Sequence, residues 1–152
     1  MTTTSDSIQR EVFLKAPRSK VWKALTDSKQ FGEWFGVVIE HPFTPGAHVT
    51  AKVTHPEYKD LRFDMLIQDI VPEQRFSWRW HPNAIDRTRD YSAEPTTLVV
   101  FSLEDAPGGT RLKVTESGFD AVPAERRLDA YRGNTQGWDH QMGAIEKYVS
   151  AK

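Results

Sequence analysis

Apolar and polar residues alternate with a period of two along seven stretches of the chain, and each stretch predicts a β-strand. The stretches are 8–15, 37–43, 47–55, 61–68, 75–80, 97–103 and 110–116. In the fifth of them, Phe76, Trp78 and Trp80 share one face and the residues between them are polar. This alternation is typical of strands that bury one face and leave the other in water.

Three other segments have helical spacing instead. The first runs from Pro17 to about Thr26, because the missing N–H of proline costs nothing in the first turn of a helix. Asp27 is a favourable cap for a second short helix, which ends at Gly36. The last helix is predicted over 123–149, where apolar side chains recur at three- and four-residue steps.

The order of these elements predicts an α+β helix-grip fold, β-α-α-β6-α. Six consecutive strands at hairpin distances make an antiparallel meander, and the last helix carries the one long stripe that can cover it. Twist and bulges curl the sheet round that helix. Gly133 and Gly137 weaken the helix by up to about 1 kcal/mol each relative to Ala, so a bend or break is expected near Gly133.

A straight helix cannot fill a curved sheet everywhere, so a cavity is expected between them, beside the two short helices. The single domain is predicted to span 8–150, after a flexible N-terminus of residues 1–7. A polar stretch over 81–95 is predicted to be a long loop. Its part from Asp86 through Arg87 to Tyr91 is either a solvated surface or a lid or partner contact.

Composition narrows the classes of function. A chain of 152 residues fits one domain that hides roughly 70% of its unfolded surface, enough for a real core. A net charge of −1 gives no electrostatic reason to bind nucleic acid, and no apolar run approaches the roughly 18 residues that span a bilayer. The absence of cysteine excludes disulfides and thiolate chemistry, and a cytoplasmic location is expected.

Two groups of residues resemble the SRPBCC (START-like, birch-pollen-allergen-like) superfamily. The segment 16–27 with Trp34-Phe35 resembles its opening signature, while 110–119 and Gly137-Trp138 resemble the last strand and final helix of one branch. That branch is the homologues of the activator of the heat-shock-protein-90 ATPase. The resemblance implies a helix-grip fold and a cavity, but superfamily members include hydrophobe carriers, polyketide cyclases and chaperone-associated domains, so it names no occupant.

Large side chains are placed to border the predicted cavity, although each is also a candidate for ordinary core. The candidates on the strands are Phe63, Met65, Trp78, Trp80 and Phe101, those on the last helix are Tyr131, Asn134, Trp138 and Met142, and Trp34 and Phe35 lie at the predicted mouth. A buried tryptophan normally needs a partner for its N–H, and a buried asparagine amide must be satisfied by protein, water or ligand.

Glu116 continues the inward parity of Leu112 and Val114 on the last strand. If it is buried there, its carboxylate is a candidate ligand anchor or functional acid. If the strand has already ended, Glu116 lies in water. The histidines have no metal-ligand spacing, and the chain has no nucleophile elbow and no phosphate-binding glycine loop, so no metal, cofactor or catalytic group is expected.

The function expected from these residues is binding of a small hydrophobic or aromatic molecule without defined chemistry. An enzyme of the polyketide cyclase or hydrolase kind is one alternative, and Glu116, His81 and Tyr131 are its candidate acids and bases. A chaperone-associated domain is the other, implied by the resemblance alone. The partner is expected to be the small ligand, with no nucleic acid and no membrane, and the chain is expected to be a monomer or weak dimer.

Overall fold

The structure is a computed structural model that describes residues 6–58, 61–86 and 88–150. Residues 1–5 of the predicted flexible N-terminus and Arg87 of the predicted loop lie outside the described residues. Ser7 begins the first strand, and the backbone carbonyl of Asp6 accepts hydrogen bonds from the backbone N–H groups of Gly118 and Phe119.

The described residues form one antiparallel sheet of seven strands. The strands are β1 (Ser7–Leu14), β2 (Val37–Ile39), β3 (His48–Val53), β4 (Arg62–Val71), β5 (Arg75–Trp80), β6 (Thr97–Ala106) and β7 (Gly109–Ser117). Their order across the sheet is β1-β7-β6-β5-β4-β3-β2, so β2 to β7 form the predicted meander of six strands and β1 pairs with its last strand. The helix-grip fold is confirmed.

Helices α1 (Arg18–Thr26), α2 (Ser28–Phe35) and α3 (Ala124–Ser150) complete the fold. The side chain of Asp27 caps α2 by accepting a 3.1 Å hydrogen bond from the backbone N–H of Lys29. Gly36 ends α2 in the left-handed conformation, with φ of 88°. The three helices pack on one face of the curved sheet, and the core lies between them.

Two local predictions are wrong. The second strand was expected to reach residue 43 but ends at Ile39, because Pro42 has no N–H to donate to a sheet ladder. The break expected near Gly133 is absent, and α3 runs through this position without interruption. The absence of a side chain at Gly133 instead lets Asn83, in the loop after β5, approach the helix closely. A Cβ at Gly133 would lie 2.9 Å from Oδ1 of Asn83.

One irregularity shapes the sheet. The register between β4 and β5 shifts between Ile67 and Ile70, which places one extra residue in β4. The hydroxyl of Ser77 accepts a 3.0 Å hydrogen bond from the backbone N–H of Asp69, so the amide freed by this bulge is satisfied. Bulges of this kind bend a strand and increase its twist, which favours curvature round α3.

Candidate functional site

The candidate site lies where three neighbouring strands meet the middle of α3. Trp80 ends β5, Thr97 begins β6 directly opposite it, and Glu116 lies one residue before the end of β7. All three side chains are on the face that α3 covers. Asn134 and Trp138 approach them from the helix, separated by one turn.

Glu116 is fully buried within β7, which agrees with the inward-facing interpretation of the two left open. The indole Nε1–H groups of Trp80 and Trp138 donate to separate oxygens of its carboxylate, each at 2.8 Å. The hydroxyl of Thr97 donates at 2.5 Å. The amide of Asn134 donates to both oxygens, at 2.9 and 3.1 Å.

The four side chains round Glu116 all donate hydrogen bonds, so the group at their centre acts as an acceptor. An indole N–H cannot accept a hydrogen bond, whereas an ionised carboxylate accepts at up to about four lone-pair positions. The four donors therefore saturate Glu116 and tie β5, β6 and β7 to α3 through one buried group. Hydrogen bonds to a charged acceptor are stronger than neutral ones, so the carboxylate fixes the orientation of both indoles.

A cavity of about 210 Å³ lies on the other side of those indoles. It is lined by Phe35, Val53, Tyr58, Leu61, Phe63, Trp80, His81, Asn83, Ala84, Ile85, Asn134, Gly137, Trp138 and Gln141. Most of these side chains are apolar or aromatic, and none of the described lining residues is an acid, a lysine or an arginine. The exposed side chains of Tyr58 and Ile85 lie at its mouth.

Five of the twelve predicted ligand-binding residues line this cavity: Phe35, Phe63, Trp80, Asn134 and Trp138. Five others lie in the core: Trp34, Met65, Trp78, Phe101 and Met142. Glu116 lies behind the indole wall and does not line the cavity. Tyr131 is elsewhere, with its hydroxyl donating to the backbone carbonyl of Ser7 at 3.0 Å. A ligand-binding role for these residues stays a prediction.

Trp78 and Trp80 share a face of β5, but their side chains are buried to different extents. Trp78 is fully buried, and its ring packs against those of Phe31 and Phe101 at 5.7 and 5.5 Å. Its Nε1–H has no hydrogen-bond partner among the described residues. Trp80 ends the strand and is only partly buried: its ring contacts Phe63 at 5.3 Å and also lines the cavity.

Sequence reasoning missed eight lining residues: Val53, Tyr58, Leu61, Asn83, Ala84, Ile85, Gly137 and Gln141. His81 was named only as a candidate acid or base of the enzyme alternative. Two signals pointed to some of the eight. Gly137 and Gln141 lie on α3 within a turn of Asn134 and Trp138, so they border the same surface. Asn83 lies three residues after Trp80, the last residue of β5, so the loop leaves the sheet beside the cavity.

The loop after β5 is fastened to α3 by an ion-pair cluster. Glu94 accepts 2.8 Å contacts from Arg89 and Arg126, and the side chains of Glu94 and Arg126 are only 11% and 10% exposed. Burial raises the pKa of Glu94, but hydrogen bonds from Arg126 and Arg89 outweigh it and lower the pKa below its usual value. Arg126 also lies 4.7 Å from the ring centroid of Tyr91. The cluster holds the loop that forms one side of the cavity.

Within the described residues, no group of three or more histidine, aspartate or glutamate side chains is placed to hold a metal ion. None of the described helices has the length and apolar character needed to cross a membrane.

A family comparison agrees with this architecture. The family described as "Activator of Hsp90 ATPase homolog 1-like protein" (AHSA1) matches residues 15–150. The chain belongs to this family. The match confirms the SRPBCC resemblance and covers both short helices, β2 to β7 and α3. No curated protein matches the AHSA1-family chain significantly.

Solved structures share the fold of this AHSA1-family protein. The protein MLL2253 from Mesorhizobium loti superimposes with a TM-score of 0.76 at 21% identity, over 96% of this chain and 98% of that one. NE0264 from Nitrosomonas europaea gives 0.74 at 21% identity, over 95% and 94%. DynU16, a protein in the dynemicin biosynthetic locus, gives 0.73 at 24% identity, over 96% of this chain but 48% of its own.

Proposed function

We propose that the protein binds one small aromatic or hydrophobic molecule in the cavity between the end of the sheet and α3. The observation that carries this proposal is an aromatic-walled space of about 210 Å³ whose indoles are held in place by Glu116. A dry apolar cavity of about 150 Å³ is large enough for benzene, so this space has room for one or two fused rings.

The expected affinity is modest. Burying roughly 200–300 Å² of apolar ligand surface at about 25 cal/mol/Å² contributes on the order of 5–7 kcal/mol. Association and ordering costs reduce that sum, so dissociation constants of about micromolar or weaker follow from shape alone. The absence of cysteine from the sequence favours a cytoplasmic ligand.

The enzyme alternative has less support. Glu116 is fully buried and committed to four donors behind the cavity wall, and Tyr131 donates its hydroxyl to the backbone of Ser7. Of the three acid-base candidates, only His81 lines the cavity. A general acid or base must come within hydrogen-bond reach of the reacting atom, so two of the three are badly placed. A chaperone-associated role is supported by the family name alone.

The test of ligand binding uses two glycines of α3. A Cβ at Gly137 or at Gly143 meets nothing within 4 Å, but only Gly137 lines the cavity. We expect Gly137→Leu to fill the cavity from its wall and weaken binding at least tenfold. Gly143→Leu makes the same change on the same helix, away from the cavity, and is the matched control.

Naphthalene and 2-methoxynaphthalene are the probes, titrated to near-millimolar concentration while the indole N–H resonances of Trp80 and Trp138 are followed by NMR. The wild type and Gly143→Leu are expected to show saturable shifts at these two indoles. An unchanged spectrum of the wild type, or equal binding by Gly137→Leu, would rule out the proposed site.

A further inference from the structure

The polar side chains of α3 that line the cavity direct their nitrogen donors at protein acceptors. Nδ2 of Asn134 donates to Glu116, and Nε2 of Gln141 donates to the backbone carbonyl of Phe35 at 3.0 Å. Both indole N–H groups of the wall also donate to Glu116. Each of these nitrogens faces a protein acceptor, and only the second N–H of the Gln141 amide has no acceptor among the described residues.

His81 and Asn83, in the loop after β5, also direct nitrogen donors at backbone carbonyl groups of the protein. Nε2 of His81 lies 2.9 Å from the backbone carbonyl of Glu94, and a carbonyl only accepts, so Nε2 carries the proton. The other ring nitrogen, Nδ1, is then a bare acceptor in the neutral imidazole. Nδ2 of Asn83 donates to the backbone carbonyl of Asp129 at 3.4 Å.

What remains at the cavity is a set of acceptors. Oδ1 of Asn134 accepts no hydrogen bond from the described residues, because the amide turns its nitrogen to Glu116. Nδ1 of His81 has no protein partner there either. Oε1 of Gln141 also has no partner in the described part of the chain, but this atom is fully buried and does not face the cavity. The hydroxyl of Tyr58, at the mouth, can rotate to donate or accept.

We propose that the ligand is a neutral aromatic molecule bearing a hydrogen-bond donor, of the phenol or arylamine class. This inference rests on the proposed function and specifies its ligand. A hydroxyl or amino group on the ring satisfies the acceptors of Asn134 and His81, whereas an ether or ketone offers them another acceptor. A polar site that loses its partner discriminates strongly, since unpaired buried groups retain their desolvation cost.

The carboxylate of Glu116 disfavours ligands that carry a negative charge. The carboxylate of Glu116 lies directly behind Trp80 and Trp138, and the described lining residues include no lysine or arginine. A bound carboxylate would face this buried negative group with no described cation beside it, and burying an unpaired charge is costly. Fatty acids and aryl carboxylates are therefore expected to bind poorly.

Three probes of one size test the inference: 2-naphthol, 2-methoxynaphthalene and 2-naphthoate, titrated by calorimetry and by the indole N–H resonances at pH 7. We expect 2-naphthol to bind about five- to tenfold more tightly than 2-methoxynaphthalene, as one net hydrogen bond predicts. Naphthoate is expected to bind more weakly than both. Equal affinity for naphthol and its ether, or preference for naphthoate, would overturn the inference.

Variants of Asn134 and His81 test whether these two residues cause the preference for naphthol over its ether. Asn134→Leu removes the acceptor and is expected to abolish the preference for naphthol over its ether. Gln136→Leu makes a similar polar-to-leucine change at an exposed position of α3 outside the cavity, and it is expected to keep the preference. Since Asn134→Leu also removes a donor from Glu116 and threatens folding, His81→Phe is the second variant, with the preference expected to fall at least threefold. A preference that survives in both folded variants contradicts the assignment.

The two proposals fail differently. If naphthalene and 2-methoxynaphthalene bind at Trp80 and Trp138 but naphthol gains nothing, the cavity function stands and the donor preference is wrong. If no probe shifts either indole, both are wrong.

Discussion

Asn134 and Trp138, one helical turn apart on α3, donate to the same buried carboxylate, that of Glu116. Because Trp80 and Thr97 donate to it from the sheet, a single acceptor fixes the distance between sheet and helix at the cavity. The cavity wall is therefore held by polar contacts, while the core beneath it is packed from aromatic rings such as Phe31, Trp78 and Phe101.

Replacing Glu116 by glutamine is expected to destabilise the protein strongly. The change keeps the shape but puts an NH2 group among donors that have no other acceptor, and unsatisfied buried groups cost about 1–3 kcal/mol, more where a charge is involved. We expect the free energy of unfolding, measured by urea denaturation, to fall by roughly 2–4 kcal/mol. Glu104→Gln, at an exposed position of β6, is the control and should change it little. A loss below about 0.5 kcal/mol would refute the role given to Glu116.

Two tryptophan-to-phenylalanine variants should differ although each removes the same atoms. Trp138→Phe loses the 2.8 Å hydrogen bond to Glu116, whereas Trp78→Phe removes an N–H that has no partner among the described residues. Both leave a void of similar size. We therefore expect Trp138→Phe to cost about 2 kcal/mol more than Trp78→Phe in urea denaturation. Equal losses would show that the contact with Glu116 contributes nothing.

Acid should release the loop after β5 through Glu94. Its pKa in the folded protein is lowered, despite the opposing effect of burial, by hydrogen bonds from Arg126 and Arg89. The unfolded state therefore binds more protons between the two pKa values, so the stability from Glu94 is full above about pH 4.3 and is lost as pH falls through the folded pKa.

The measurement compares melting temperatures of the wild type and Glu94→Gln from pH 7 to pH 3. Above pH 5 the wild type should be the more stable of the two, and the difference should shrink towards zero on acidification. Glu146→Gln, an exposed change on α3, is expected to follow the wild type throughout. A difference independent of pH would contradict the assigned role of the ionised carboxylate.

Gly133 and Gly137 provide a matched pair on one helix. Alanine at Gly137 meets nothing within 4 Å, so Gly137→Ala should stabilise the protein by about 0.5–1 kcal/mol through helix propensity. A Cβ at Gly133 would lie 2.9 Å from Oδ1 of Asn83, so that side chain has to move. We expect Gly133→Ala to be at least about 0.5 kcal/mol less favourable than Gly137→Ala in thermal or urea unfolding. Identical values would mean that Asn83 adapts freely.

Most of the fold could be predicted from the sequence because most of its strands alternate between apolar and polar residues. Phe76, Trp78 and Trp80 lie on the covered face of β5 as predicted, and Glu116 lies on the covered face of β7. Strand parity decides which face a residue occupies, and a one-residue error would have inverted every assignment. Pro42 was the one visible signal that the second strand ends early, and its missing N–H outweighs the continuing apolar pattern.

How deeply each side chain on the covered face is buried could not be predicted in the same way. Trp78 and Trp80 have the same parity, but Trp78 is fully buried whereas Trp80 borders a cavity. Coverage depends on where elements distant in sequence cross the sheet, and nothing local to β5 records it. The contribution of His81 and Asn83 likewise depends on contacts from the loop to Glu94 and Asp129, which have no periodic signal.

The pairing of β1 with β7 has a consequence for biosynthesis. Ser7 lies opposite Ser117 in the ladder, and Leu14 lies opposite Thr110, so the N-terminal strand pairs with residues that are synthesised 96 to 110 positions later. Contacts between such distant residues slow folding, because the entropy of closing a long loop is lost before the hydrogen bonds of the ladder can form. On the ribosome the meander can assemble while β1 stays unpaired, and its apolar side chains then remain accessible to cellular folding factors until the last strand emerges.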